Sequence, residues 1–453
     1  MTVLLGIDPR TGRRVHQVVP QHKVHTLKVG KSGSGKSVAE AARWTAIARE
    51  GSVNWLQLDP KDDIGPLTTR LMAAAGLENN VVQINFFSGA AVPLNPLWPQ
   101  EGLEAAVQAR IAARHFEGLI GERLGPRMLR VFLRFAEALI GVKGHLMDMA
   151  RMLESPAYRR RVAARCAKPE VRRFLEGGIE DEPPASLAAL ANRLDLPLSL
   201  PAARRVLCAR GCLTATRLFS GRAIINTGGA PAGAGPLAAF FAGLVFDLVL
   251  VPGLFARPVG TERHLAVVID ELPEVLRAAD PDQLERLSSL VRARNVSLHL
   301  MLQDMAQLDR ASPGLARIVQ TNARQVSLYE PSTEQLARHL GHRAPSPTLR
   351  DPNRPSRTLS AAEARMAWCR WVASLGPRHF VHDSHRGIQV LRTPNVPLPE
   401  VERRWAALSA EQRLAWTHGA LKHPMGEPTL TLPDPPDAAP GSRPRARPRL
   451  VLP

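Results

Sequence analysis

The chain has 453 residues, of which 45% are hydrophobic and 22% are charged, so it can bury one large core or two ordinary ones. That composition argues against wholesale disorder despite the 39 prolines. Lys and Arg number 59 against 41 acidic residues, and the formal net charge of +18 suits a polyanionic partner, either nucleic acid or an anionic membrane surface. Aromatic residues make up only 5%, which argues against an extended base-stacking surface.

The cysteines and the apolar segments indicate a cytoplasmic protein without a membrane span of its own. Residues 1–7 are apolar but lack a basic leader, so they do not predict a signal peptide. The apolar run 237–256 contains Asp247, which costs about 2.5–3.5 kcal/mol at the centre of a span, so a buried helix plus a turn at 252–253 is expected. The four cysteines, too few and too scattered for a disulfide framework, are Cys166, Cys208, Cys212 and Cys369.

The first hundred residues predict strands that alternate with helices. Residues 1–22 are expected to form a short N-terminal β segment. Further strands are predicted at 25–29, 53–58 and 81–86, and an alanine-rich helix is predicted to end near residue 50. This alternation indicates an α/β fold with a mainly parallel sheet.

The middle of the chain has a different character. Residues 101–217 lack strand signals and carry apolar side chains at helical spacing, so they predict an all-helical insertion. Strands return at 223–226, 265–269, 298–302 and 326–329, and a hairpin is predicted from 379 to 391. The predicted organisation is a core formed by residues 23–100 and 218–395, the insertion, a C-terminal helix at 396–423, and a disordered tail rich in Pro and Arg at 424–453.

A glycine-rich segment follows the strand predicted at 25–29. Residues 30–37 read GKSGSGKS and match the phosphate-loop pattern GxxxxGK[ST] at every fixed position, between a predicted strand and a predicted helix. Glycines let backbone N–H groups surround phosphate oxygens, and Lys36 is expected to reach the β- and γ-phosphates while the Ser37 hydroxyl binds Mg²⁺. The candidate nucleotide-binding residues are Gly30, Lys31, Ser32, Gly33, Ser34, Gly35, Lys36 and Ser37.

Polar side chains also end two later strands. Residues 265–271 read LAVVIDE, five apolar residues followed by two carboxylates. We expect Asp270 to hold Mg²⁺ through water and Glu271 to polarise the attacking water. The next predicted strand ends at Gln303, and since the carboxyl ends of parallel strands share one edge of a sheet, Gln303 is a candidate γ-phosphate sensor.

The order of these elements resembles the HerA/FtsK superfamily of P-loop ATPases. The resemblance covers roughly residues 20–395 and rests on the phosphate loop, DPKDD at 59–63, LNPL at 94–97, the helical insertion, VVIDELP at 267–273, and the segment from 294 to 303. Within the superfamily, the NPL element, the insertion and the stretch 319–341 are most similar to the TraG-type coupling proteins of conjugation and type IV secretion. Through this resemblance Asp59 joins the candidate nucleotide-binding residues.

The resemblance implies a RecA-like ATPase core that uses ATP and Mg²⁺, is usually hexameric, and pumps DNA through a central pore. It also implies an arginine donated across the subunit interface to the neighbour's γ-phosphate, for which Arg324 and Arg317 are candidates and Arg294 is a third. Coupling proteins typically carry N-terminal transmembrane helices, which this sequence does not predict. Either a partner therefore provides attachment at the inner face of the membrane, or the protein belongs to a soluble branch.

Two other functions remain open from the sequence. One is a soluble HerA-like helicase that acts with a nuclease in DNA repair or defence. The other is an ATP-dependent assembly switch that recruits relaxase or secretion partners without moving DNA. A small GTPase is disfavoured because no Asn-Lys-x-Asp motif occurs, and an ABC-type ATPase because no complete Leu-Ser-Gly-Gly signature occurs.

Several weaker patterns favour structural roles. His379, His382 and His385 are three residues apart, and on a strand such positions face opposite sides, so they do not predict one metal site. Cys208 and Cys212 are expected to be core thiols. The arginine runs at 159–161 and 172–173 indicate a solvated helix face or contacts with DNA phosphates.

Overall fold

The computed structural model describes residues 2–18, 23–77, 81–87, 92–230, 235–261, 263–346, 350–351 and 354–417. The strands are β1 (Thr2–Ile7), β2 (Arg14–Val18), β3 (Thr26–Gly30), β4 (Val53–Asp59), β5 (Val81–Asn85), β6 (Arg222–Asn226), β7 (His264–Ile269), β8 (Val296–Leu302), β9 (Gln325–Tyr329), β10 (Arg350–Asp351), β11 (Arg354–Thr358), β12 (His379–Ser384) and β13 (Gly387–Arg392). The helices are α1 (Lys36–Glu50), α2 (Ile64–Ala74), α3 (Ala105–Ile120), α4 (Pro126–Val142), α5 (Leu146–Glu154), α6 (Pro156–Ala163), α7 (Pro169–Arg173), α8 (Pro184–Ser199), α9 (Pro201–Leu207), α10 (Ala215–Phe219), α11 (Gly235–Val245), α12 (Val251–Ala256), α13 (Leu272–Leu276), α14 (Pro281–Leu290), α15 (Ala306–Ala311), α16 (Leu315–Asn322), α17 (Thr333–Leu340), α18 (Ala361–Ala373), α19 (Leu398–Ala407) and α20 (Ala410–Thr417).

Eleven strands form one sheet in the order β2-β1-β13-β12-β9-β3-β8-β7-β4-β6-β5. The seven strands from β9 to β5 are parallel, whereas β12, β13, β1 and β2 are added in antiparallel pairs at one side. The α/β fold with a mainly parallel sheet is therefore confirmed. Strand β3, which leads into the glycine-rich segment, lies between β9 and β8 near the middle of the sheet.

Helices cover both faces of the parallel block, so every residue of β3, β4, β7, β8 and β9 is buried. One face packs on α1 and α2, where the Trp44 and Trp55 rings lie 6.1 Å apart between centroids. The other face packs on α11, where Phe86 stacks on Phe241 at 4.7 Å. The continuous apolar runs that predicted these strands are thus explained by burial on two sides.

Residues 101–217 contain helices α3 to α9, and the apolar side chains of these helices join the larger hydrophobic cluster of the sheet. Asn95, in the turn before this segment, is buried and donates through Nδ2 to the carbonyls of Gly144 and Ala209 at 2.8 and 3.0 Å. These bonds tie distant parts of the helical segment to the sheet. The helical character expected for this region agrees with the structure.

The apolar run near residue 247 is a single buried helical segment. The helix Pro236–Ala256 is long and apolar enough to cross a membrane, but 78% of its apolar window is buried inside the protein. Asp247 contacts Arg114 at 2.5 Å and His115 at 2.9 Å, so its charge is compensated by protein groups. The expected turn at 252–253 was wrong, because a π-helical turn at Phe246–Leu250 precedes Pro252 and the helix continues to Ala256.

The C-terminal part differs from the single helix expected at 396–423. Helices α19 and α20 replace it, and an extended Leu408 (ψ 144°) ends the first of them. Trp416 of α20 is buried with the cluster around Trp44. The predicted tail at 424–453 lies outside the described residues.

Two of the weaker sequence patterns have defined environments. Arg159 is buried and donates to the carbonyl of Met152 at 2.8 Å, so it is not part of a solvated face. Cys208 is a buried free thiol, and burial raises its pKa to about 11. Both residues contribute to the packing of the helical segment.

A buried polar network joins the antiparallel strands to α1. Arg43 donates to Gln17 Oε1 at 2.9 Å, which directs the amide nitrogen of Gln17 toward His382 Nε2 at 3.0 Å. The other ring nitrogen of His382 lies 3.1 Å from the Ser327 hydroxyl. Because Nε2 accepts a hydrogen bond from an amide, the ring is neutral, and burial lowers the pKa of His382 to about 3.

This network predicts a loss of stability in acid. Below pH 6.5 the unfolded chain takes up a proton that folded His382 refuses, so each pH unit down to about 3 removes up to about 1.4 kcal/mol of unfolding free energy. We expect the melting temperature of His382→Gln to fall less between pH 7 and pH 5 than that of the wild type. The exposed His16 supplies the control His16→Gln, which should follow the wild-type curve. Parallel curves for both variants would contradict the assignment.

Candidate active site

The glycine-rich segment connects β3 to α1 at the carboxyl edge of the sheet. Gly33 and Gly35 have φ values of 83° and 85°, which side chains rarely tolerate. A Cβ on Gly30 would lie 2.6 Å from Cβ of Tyr329, so the loop passes directly against β9. The side chain of Ser34 is fully buried, and its hydroxyl has no hydrogen-bond partner within the described part of the chain. The loop therefore presents its backbone and one buried hydroxyl that lacks a hydrogen-bond partner among the described residues.

Lys36 and Ser37 begin α1 and point into the site. Lys36 Nζ donates to the carbonyls of Gly30 and Leu302, both at 3.0 Å, and burial lowers its pKa. Ser37 donates its hydroxyl proton to Asp63 Oδ2 at 2.9 Å. In the sequence Asp63 stands out only as the last residue of DPKDD, and nothing in that pattern indicates a contact with Ser37.

Asp270 follows β7 and faces the same space. Its Oδ1 accepts a hydrogen bond from the Glu271 amide at 3.0 Å, while Oδ2 is buried without a partner among the described residues. Burial, and then the nearby Asp59 carboxylate, raise the pKa of Asp270 to about 8. A buried carboxylate oxygen without a donor is suited to a cation or to water bound by a cation.

Asp59 ends β4, beside Asp270. Its carboxylate accepts from the backbone N–H groups of Gly65 at 2.7 Å and Lys61 at 3.1 Å, so it organises the turn before α2. Burial raises its pKa to about 6. Both oxygens of Asp59 are therefore held by the protein, and its assignment to nucleotide binding stays a prediction.

Glu271 has an unusual backbone conformation. Its φ of 47° is left-handed, a conformation that costs free energy for residues other than glycine and is found at functional sites. The carboxylate accepts from Gln303 Nε2 at 3.1 Å and lies 3.3 Å from Lys61 Nζ and 4.0 Å from Lys36 Nζ. The structure thus joins Glu271 and Gln303. It also adds Lys61, whose position between aspartates was the only signal in the sequence.

The site residues are compatible with a magnesium nucleotide. The loop offers backbone N–H groups and one lysine for phosphate oxygens, and the hydroxyl of Ser37 and the free oxygen of Asp270 are hard ligands of the kind that Mg²⁺ prefers. The strand registers account for this convergence, because Val29 pairs with Leu302 and Ile269 pairs with Leu300. Residues more than 200 positions apart in the chain therefore meet at one edge.

The candidate arginines lie elsewhere in the subunit. Arg324 donates its backbone N–H to His25 O at the amino end of β9, the opposite edge of the sheet from Gly30. Arg317 is exposed on α16, and Arg294 precedes β8 and bonds to the carbonyl of Arg257. None of the three joins the cluster around Lys36. A role for any of them across a subunit interface stays a prediction.

Solved structures share this fold. VirB4 of Thermoanaerobacter pseudethanolicus superposes with a TM-score of 0.56 at 14% identity, covering 87% of this chain and 97% of that one. The plasmid coupling protein TrwB in complex with the non-hydrolysable ATP analogue ADPNP gives a TM-score of 0.52 at 15% identity, with 87% and 95% covered. TrwB in complex with ADP and Mg²⁺ gives 0.51 at 14% identity, with 87% and 94% covered. No protein-family model matches the chain, and no curated protein matches it either.

Gly228, which follows β6, predicts a test of the Lys61–Glu271 contact. A Cβ on Gly228 would lie 2.3 Å from the Asp62 nitrogen and 2.5 Å from the Lys61 carbonyl carbon, so Gly228→Ala must displace the backbone of this turn. We expect a loss of ATP turnover with the phosphate loop intact. The matched control is Gly118→Ala in α3, where nothing lies within 4 Å of the added methyl. Equal turnover in both variants would show that the turn is not needed.

At the level of architecture, the sheet, the loop and the helical segment give this chain the fold that the solved structures of VirB4 and TrwB share.

Proposed function

We propose that the protein is an ATP-hydrolysing motor that moves DNA, as a coupling-protein-like ATPase of conjugative DNA transfer. The observation that carries this proposal is the convergence of Lys36, Asp270, Glu271 and Gln303 on one loop at the carboxyl edge of the sheet. The net charge of +18 supports a polyanionic partner. The fold shared with TrwB, described as a plasmid coupling protein, supports the conjugative role.

The binding roles follow from the donors and acceptors in the site. Lys36 would hold the β- and γ-phosphates and would then give up its hydrogen bonds to the carbonyls of Gly30 and Leu302, at the ends of β3 and β8. Ser37 and Asp270 would hold Mg²⁺, which would supply charge neutralisation at the phosphates. Asp63 Oδ2 accepts the hydrogen bond of the Ser37 hydroxyl, and it would accept one from metal-bound water once Ser37 binds Mg²⁺.

The hydrolytic roles depend on Glu271. Its carboxylate accepts a proton from the attacking water. Gln303 orients this carboxylate through its hydrogen bond to Oε1. Lys61 Nζ lies 3.3 Å from Oε2 of this carboxylate, and it must move for water to reach that oxygen. An arginine from a neighbouring subunit, Arg324 or Arg317, completes the charge stabilisation in a homo-hexameric ring.

The partners follow from the same reading. DNA is the polyanion that is moved, and secretion-system proteins, a relaxase or a nuclease are the protein partners. The motor is cytoplasmic and reaches the inner face of the membrane through such a partner. These assignments depend on the hypothesis that the protein is a DNA-moving motor, and each can be measured directly.

Substitutions of Lys36 and Glu271 separate binding from hydrolysis. We expect Lys36→Ala to lose nucleotide binding, because the charge that meets the phosphates is removed. We expect Glu271→Gln to bind ATP as well as the wild type while turnover falls about 100-fold or more, because the base is lost. Equilibrium binding and phosphate release measure the two effects. A Glu271→Gln variant with wild-type turnover would remove Glu271 from the mechanism.

DNA should stimulate ATP turnover by the wild type in a salt-dependent manner. Contacts between arginines and phosphates release counterions when DNA binds. The apparent affinity for DNA should therefore fall about 1,000-fold between 50 and 200 mM salt if six or more contacts form, and the stimulation should fall with it. Turnover without DNA should change little over that range. Turnover that ignores both single- and double-stranded DNA at every salt concentration would favour an ATP-dependent assembly switch over a motor.

A further inference from the structure

Arg378 lies beside the phosphate loop, although it belongs to the antiparallel side of the sheet. It immediately precedes β12, and Thr393 immediately follows β13. Around the Cβ position of Gly35, the nearest atoms are Thr393 Oγ1 at 3.5 Å, Thr393 Cγ2 at 3.6 Å and Arg378 Cγ at 3.9 Å. One arginine of the terminal hairpin is thus in van der Waals reach of the loop that would hold phosphate.

The backbone of Arg378 is fixed in an unfavourable conformation. Its φ is 68°, and Glu330, which it contacts, has a φ of 44°. The Arg378 amide donates to Glu330 Oε1 at 3.0 Å, and its carbonyl accepts from the Thr393 amide at 2.8 Å. Left-handed backbone at two contacting residues that are not glycine, Glu330 and Arg378, costs free energy. Such strain persists where the position of a side chain matters.

The guanidinium of Arg378 has only weak partners. Nε lies 3.4 Å from Thr393 Oγ1, and Nη2 lies 3.3 Å from the Pro394 carbonyl and 3.3 Å from Asn395 Oδ1. Within the part of the chain that the structure describes, no carboxylate forms an ion pair with it, and the residue is exposed. These distances exceed those of strong charge-assisted hydrogen bonds, so an anion with better geometry would displace them.

We propose that Arg378 is a nucleotide-binding residue that acts within its own subunit: its guanidinium binds the phosphate chain of the nucleotide held by the loop at Gly35. This inference rests on the proposed function, because it requires that the loop binds a nucleotide. A planar guanidinium is suited to two phosphate oxygens at once. Since Arg378 and Thr393 frame the hairpin β12–β13, the nucleotide would connect that hairpin to α1.

The test compares Arg378→Gly with a matched variant of the same hairpin. Glycine accepts the left-handed backbone, so this change removes the guanidinium without adding strain. Arg386→Ala, in the exposed turn between β12 and β13, removes the same charge at the far end of the hairpin. Affinities for Mg·ADP and Mg·ATP are measured by calorimetry on the full chain, together with KM and kcat for ATP.

We expect Arg378→Gly to lower the affinity for Mg·ADP and Mg·ATP about 10-fold or more and to raise KM for ATP. Arg378→Lys should recover part of the affinity, and Arg386→Ala should leave it unchanged. The melting temperature without nucleotide should stay close to that of the wild type, whereas the nucleotide-induced increase should shrink. If Arg378→Gly lowers the melting temperature itself, Arg378→Asn, which also tolerates the backbone, is measured instead.

The outcomes separate the two proposals. Wild-type affinity in Arg378→Gly, in a protein that binds nucleotide through Lys36, overturns the role of Arg378 and leaves the proposed function standing. A wild-type protein that binds neither nucleotide overturns the proposed function and this inference with it. A loss of affinity that Arg386→Ala shares equally shows only an effect of net charge, which overturns the specific contact.

Discussion

The rest of this site depends on two buried carboxylates at the ends of neighbouring strands. Asp59 ends β4 and Asp270 follows the adjacent parallel strand β7; burial raises the pKa values of both, and the Asp59 carboxylate raises that of Asp270 further. Asp59 is compensated by two backbone N–H groups, but one oxygen of Asp270 is not. A fold keeps such a group only if something repays its desolvation, and a cation bound next to it does so.

The sheet determines where the phosphate loop lies. Strand β3 lies between two parallel neighbours, and its loop is held against Tyr329 on one side and Leu302 on the other. The antiparallel strands then extend the sheet beyond β9 and bring the Arg378 region back to the same edge. The site therefore draws on both the parallel block and the terminal hairpin, which are far apart in the sequence.

The sequence was sufficient to predict the parts of the site that depend on local pattern. The loop at 30–37 and the acids at 270 and 271 each follow a buried strand, and such signals need only a few neighbouring residues. The contacts of Lys61 with Glu271 and of Asp63 with Ser37 arise instead from a turn whose shape is set by Asp59 and by the close approach of Gly228. No periodicity or motif encodes that approach. The π-helical turn at Phe246–Leu250 was also not predicted from the sequence.

Asn95 has a consequence for how the molecule can be divided. Its buried side-chain amide donates to the carbonyls of residues 144 and 209, and its backbone N–H donates to the carbonyl of Gly211. The helical segment also shares one continuous apolar core with the sheet. A deletion that replaced residues 101–217 with a short linker would leave an orphaned amide and a bare apolar face. We therefore expect a cut at the boundary visible in the sequence to destabilise both parts, because they share this core and these hydrogen bonds.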